Sequence, residues 1–335
     1  MEQGRNLIKI SNRSLERATA TIHLTNKLLD SQNTQYIPYR KKDKWGFCDS
    51  SKHIVIDCIY DEALPFNEGF ARVRLNNQEG HIAQNGTPLN AFCYFHADSF
   101  SEGFAGVCTA PPTNYGFINI AGELKIPYQF SRIHRFSEGL ASVQDNNHDW
   151  GFINSSGEIV VDFLYNSASP FSQGLAQVQG KNWRYGFIDK RNNLIIPCNY
   201  SSANSFKEGL AHVKNNGNWG FIDRQNNIVV PFIYGGGGGF SEGLASVYVK
   251  GSYGFIDKAG VMVLPPIYKG VSPLFSNGLA NVIIGHKYGF IDKREAVVIP
   301  GIFDSAMPFV NGLSRVSLNG QYGYINVAGV EYWEN

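Results

Sequence analysis

Methionine is scarce in this chain of 335 residues, with three copies, and a surplus of charge of either sign is missing: 29 basic residues face 28 acidic ones. Without a basic stripe there is no electrostatic footprint for nucleic acid or an anionic membrane, and neither is expected as a partner. Long apolar runs are also missing. The opening stretch, residues 1–29, is polar and charged throughout, so no secretory signal and no membrane span is expected. Cysteine is limited to Cys48, Cys58, Cys93, Cys108 and Cys198, an odd number with no C-x-x-C, which points to a reduced, cytoplasmic setting. The eight histidines form no H-E-x-x-H and no Cys/His spacing, and no Ser-His-Asp or Cys-His set can be assembled. No metal, no cofactor and no catalysis is therefore expected.

What is abundant is glycine (36), phenylalanine (23) and tyrosine (17), a turn-rich and aromatic-rich composition that favours many short strands. A motif of aromatic-Gly-aromatic-Ile-Asp/Asn starts at Trp45, Tyr115, Trp150, Tyr185, Trp219, Tyr253, Tyr288 and Tyr322, with a decayed copy at Glu79-Gly80-His81-Ile82. Successive starts are 34 to 36 residues apart, so one unit recurs nine times.

Residues 209–234 illustrate the unit. Gly209–Val213 predicts a first strand, Trp219–Asp223 a second and Ile228–Pro231 a third, with Asn-Gly and Asp-x-x-Asn turns between them. Proline closing the third strand suits a strand end or an outer edge. A connector with two aromatics, Tyr200 to Phe206 for example, then leads through Ser-Glu-Gly into the next unit. Strand alternation puts Ala211, Val213, Gly220 and Ile222 on one face and Leu210, His212, Trp219 and Phe221 on the other. The aromatic face of one unit is expected to pack on the small Gly/Ala face of its neighbour, because a lone unit cannot bury both.

Lys44-Trp45-Gly46-Phe47, Tyr253–Gly260 and Phe240–Val247 resemble the units of bacterial WG (KWG) repeat proteins, and the resemblance covers about residues 36–335. It implies a non-catalytic β-repeat module of variable copy number, often joined to other domains, and it leaves the ligand open.

The fold expected is all-β: about nine stacked three-stranded antiparallel meanders over residues 36–335. An open superhelical array is the leading form and a closed β-propeller the alternative, since nine units exceed the usual four to eight blades. Residues 1–35 fall outside the repeats. Leu15, Ala18, Ile22, Leu24, Leu28 and Leu29 predict an amphipathic helix there, capping the first unit or docking on a partner.

Several apparent sites yield to structural explanations. Gly235–Gly239 lacks the Lys-Ser/Thr of a phosphate loop and fits a flexible connector. The recurring Asp49, Asp189, Asp223, Asp257 and Asp292 suit Asx turns, and the Glu of Ser-Glu-Gly is expected to act in the same local way. Cys48, Cys58 and Cys198, standing where other units have Ile or Phe, suit packing. Binding is expected where units depart from the pattern: at Arg72, Arg74, His212 and Arg315 on first strands, and at Trp183 and Arg184 in an unusual turn. The function expected is a non-enzymatic protein-interaction scaffold, with a carbohydrate- or cell-envelope-binding module as the alternative.

Overall fold

The computed structural model describes residues 36–109, 114–270 and 274–334. The expected N-terminal helix and most of the loop at 109–114 lie outside the described residues.

Among the described residues seven of the nine units form the expected meander, the second and ninth lacking a regular third strand, and the hairpins obey their turn chemistry. In the sixth unit Ala211–Asn215 pairs with Asn218–Ile222, which pairs with Ile228–Tyr234. Asp223 Oδ1 accepts from the backbone amides of Gln225 and Asn227 at 2.9 and 2.8 Å, the Asx geometry expected of these aspartates. Asp49, Asp189, Asp257 and Asp292 do the same in their own units.

A fourth strand that the sequence pattern did not reveal completes most blades. Two residues of the connector, such as Ser202-Ala203, pair with the first strand through Lys214 and Val213. In the seventh blade this short strand is Gly236-Gly237, so the glycine run is an ordered blade edge rather than a flexible link.

The third strand also runs further than expected. It continues past its proline to Tyr234, and the extra residues form a β-bulge opposite the single residue Gly220. A Cβ on Gly220 would lie 2.6 Å from the Val230 carbonyl oxygen of its own blade. The same clash with the third strand recurs at Gly46, Gly116, Gly151, Gly186, Gly254 and Gly289. The repeated glycine therefore makes room for a bulge within its own blade, not for a neighbouring blade as strand alternation alone implied.

The stacking of faces agrees with expectation. Phe187 of the fifth blade is buried with Ala211, Val213 and Ile222 of the sixth, and Phe221 of the sixth with Ala245, Val247 and Ile256 of the seventh. The connector phenylalanine wedges between them. Ring pairs such as Phe187–Phe206 and Phe221–Phe240 both sit 4.8 Å apart at tilted or edge-on angles, a favourable geometry for aromatic contacts.

Ser-Glu-Gly has a role that local turn chemistry misses. Glu102 accepts from the amides of Glu138 and Gly139 in the following blade at 2.6 and 2.8 Å, and Glu68 reaches Glu102 and Gly103 in the same way. Gln173 and Asn277 hold Gly209 and Gly312 through their amide oxygens, so the substitutions that break the acidic row leave the chain of bonds intact. The serine bonds forward too: Ser172 Oγ donates to the Phe206 carbonyl at 2.6 Å. Blade is thus tied to blade by a recurrent, charge-assisted clasp.

The array is closed, not open. Trp333-Glu334 adds in parallel to Arg40-Lys41, filling the place of the missing short strand in the first blade. Tyr39 Oη donates to Glu334 at 2.7 Å, and Leu313, Tyr324 and Tyr332 join the core of the first blade. The physical reason is that the small face of the first blade, left bare in an open stack, is buried by the aromatic face of the last. Nine small sheets among the described residues form a propeller-like ring. Its second blade is eroded: the third strand is reduced to isolated bridges, Glu79 to Tyr94 and Ile82 to Pro88.

Candidate binding site

Ring closure creates a cavity of about 470 Å³ where the ninth, first and second blades meet. The first blade contributes Arg40 and Trp45 from paired strand positions and Lys42 and Asp43 from the hairpin between them. Asp61, Glu62 and Arg74 come from the start of the second blade, and Arg315, Gln321 and Tyr322 from the last hairpin of the ring.

Glu62 is the hub. It replaces the serine or glycine that begins the short strand in blades five, six, seven and nine, and it is directly opposite Arg74 in the sheet. One carboxylate oxygen accepts from Arg74 at 2.7 Å and from Arg72 at 3.2 Å; the other accepts from Arg315 at 2.9 Å, across 253 residues of chain. Three guanidinium groups around one largely buried carboxylate compensate its desolvation. Arg72 also reaches Glu79 at 3.3 Å and the Ala97 carbonyl at 3.4 Å, so its donors serve the interior.

The other two arginines face the cavity with capacity left over. Arg74 has a side chain 40% exposed, and Arg315 is 29% exposed with its guanidinium 4.5 Å above the Tyr322 ring. Arg315 Nε is buried at this wall without an acceptor. Arg40 lies deeper: its Nε donates to the Tyr322 carbonyl at 2.7 Å, and burial pushes its pKa down. Trp45 stands edge-on to Tyr324 with centroids 5.8 Å apart.

Of the residues singled out from sequence, the structure thus gathers Arg72, Arg74 and Arg315 into one cluster. Trp183 and Arg184 are exposed on the hairpin of the fifth blade, away from it, with Trp183 in a left-handed conformation at φ 60°. His212 is not a surface residue. It is buried in the sixth blade, stacked 4.3 Å from Trp219 and 4.7 Å from Phe221, with Asn204 Nδ2 against its Nδ1 at 3.3 Å. Burial lowers its pKa to about 4. The polar first-strand position it occupies points between blades: Asn281 there donates to the Ala306 carbonyl of the next blade at 2.6 Å. Sequence reasoning missed Glu62, Arg40, Trp45 and Tyr322. Glu62 carried a usable signal, being an acid at a position that is Ser or Gly in four other blades, whereas Arg40 and Tyr322 meet only through closure.

Cys48 fits a packing role, being fully buried with its thiol pushed up to about 12 by desolvation, and Cys58 and Cys198 are partly buried against the core.

Comparison with known proteins finds the repeat described as "WG containing repeat" at residues 45–78, 115–147, 150–182, 185–219, 219–252, 253–288 and 288–322. No curated protein matches the chain. Among solved structures, one described as a eukaryotic initiation factor is similar with a TM-score of 0.56 at 12% identity, covering 89% of this chain and 94% of that one. The computationally designed Ika8 protein (TM-score 0.49, 8% identity, 79% and 95% covered) and BamB from Moraxella catarrhalis (0.45, 8%, 88% and 94%) also align. At such identities the likeness to the first concerns fold alone. Seven matched copies spread over the blades, each with the bulge-facing glycine and the aromatic pair described above, place the chain in the family of WG containing repeats.

Proposed function

We propose that this protein is a non-enzymatic scaffold that binds another protein, and that the closing seam is its principal contact site. The observation that carries the reading is the division of labour along the chain. Residues that recur in every unit are consumed by turns, bulges and clasps, while two departures from the pattern, Arg74 and Arg315, meet in one cavity beside the motif aromatic Tyr322. Arginine and large aromatics are the side chains most often found as anchors of protein interfaces. The reading keeps the cytoplasmic setting expected from the cysteine pattern.

The carbohydrate alternative is less well supported. It needs tryptophans presented as stacking platforms, but Trp45 and Trp150 are buried at 5% and 6% exposure and Trp219 is stacked on His212. Affinity capture from the native cell tests the proposal, comparing the full chain with an Arg74→Gln/Arg315→Gln variant and a Trp183→Ser variant. Selective loss of captured proteins with the seam variant is expected. An identical set of partners from all three chains would remove the seam from consideration.

A further inference from the structure

The seam cavity has a charge pattern that narrows the chemistry of what enters it. Four cationic side chains, Arg40, Lys42, Arg74 and Arg315, line it against three carboxylates, Asp43, Asp61 and Glu62. The surplus is a single positive charge, matched by one carboxylate and exceeded by a doubly charged phosphate. The guanidiniums of Arg74 and Arg315 are already set for a carboxylate, since both bind Glu62 through one terminal nitrogen each. A guanidinium has five N–H donors, so each keeps donors beyond that bond, and Arg315 adds its buried, unpaired Nε. The half-exposed Tyr322 gives the same cavity an aromatic wall.

We propose that the seam is a docking site for an acidic peptide segment, which inserts one carboxylate between Arg74 and Arg315 and lays a neighbouring apolar side chain against Tyr322. The inference rests on the scaffold reading and supplies its ligand chemistry. The inserted carboxylate becomes the second acceptor of a cluster in which Glu62 is the first. Lys42, exposed on the rim, adds attraction at longer range. Planar bidentate pairing favours this arrangement over lysine-type point contacts.

The test uses the full chain and a fluorescein-labelled peptide, acetyl-Glu-Glu-Phe-Glu-Glu-amide, followed by anisotropy at low salt. Saturable binding is expected, roughly tenfold weaker for Arg74→Gln/Arg315→Gln, the loss of one or two charge-assisted bonds. Lys42→Gln should weaken binding by a smaller factor without touching the Glu62 cluster, which guards against a variant that merely fails to fold. Lys181→Gln, on a distant hairpin, should change nothing. The Gln-Gln-Phe-Gln-Gln counterpart should not bind. Equal binding of the acidic peptide to wild type, Arg74→Gln/Arg315→Gln and Lys42→Gln would overturn the assignment, as would no binding to the wild type. Competition by inorganic phosphate at concentrations below those of the peptide would overturn it in favour of a phosphate site. If the peptide fails while protein capture still depends on Arg74 and Arg315, the scaffold reading stands and only the acidic-peptide chemistry falls.

Discussion

His212 shows how much a single side chain can hide in a repeat. Its imidazole is sandwiched by Trp219 and Phe221, and desolvation lowers its folded pKa to about 4 from an ordinary 6.5. Above pH 6.5 the ring is neutral in both folded and unfolded chains and stability is unaffected. As pH falls from 6.5 towards 4 the unfolded chain takes up a proton that the folded chain refuses, so stability drops, by about 3 kcal/mol at the lower limit. His81, also fully buried, shifts in the same direction, with desolvation again the largest cause. Urea unfolding at pH 7 and pH 4.5 checks this. His212→Asn, which copies the residue at the same position of the eighth blade, should show a smaller loss between the two pH values. An unchanged loss would mean that the histidine titrates normally in the fold.

The same residue marks a limit of reading from sequence. A histidine among small and aromatic neighbours on a variable strand position looks like a ligand contact, because one strand cannot reveal that Trp219 and Phe221 of the paired strand enclose it. The aspartates of the hairpins were legible for the opposite reason: their partners lie two and four residues away. The glutamates of Ser-Glu-Gly were misread as local because their partners, 34 to 37 residues ahead, lie one full repeat along the chain.

At the scale of the strand, the bulge is the feature that determines the motif. Gly220→Ala would drive a methyl against the fixed Val230 carbonyl, and overpacking of this kind costs about 1–3 kcal/mol. Gly80→Ala in the eroded second blade meets only the movable Phe92 ring, nearest atom 2.4 Å, because the regular third strand is gone. Chemical denaturation should rank Gly220→Ala well below Gly80→Ala in stability; the reverse order would refute the role given to the bulge. The bulged strand is also an unpaired edge with aliphatic residues in the open, Ile228, Val229 and Ile233 among them. Proline at its centre removes an amide and blunts the edge against pairing with other chains. The spacing of Asn-Gly and Asp-x-x-Asn turns made the three main strands legible. The two-residue fourth strand was not, since Ser-Ala carries no periodicity.

Over the whole molecule, the repeat count was legible and the closure was not. Nine units follow from local spacing, whereas closing a ring depends on the small turn between successive blades, which no single unit encodes. The decisive contact is short: two residues, Trp333 and Glu334, beside Arg40 and Lys41. Trp333 also lies across Gly323, where a Cβ would meet its ring at 2.2 Å, so it does for the last blade what the bulged third strand does elsewhere. Trp333→Ala is expected to destabilise the ring by about 3 kcal/mol, near the lower end for removing a tryptophan from a core because its side chain is only partly buried. Thermal unfolding and small-angle scattering would register the change as a lower midpoint and a larger radius. An unaltered midpoint would place the strength of closure in the facing aromatic cores alone.

The seam also orders events in time. Blades can form one after another as the chain leaves the ribosome, each on the face of the one before. The Arg74–Glu62–Arg315 cluster cannot, because Arg315 follows Glu62 by 253 residues. A partner that needs this cluster would meet only finished molecules, and a nascent or cleaved chain with most of its blades folded would pass unrecognised.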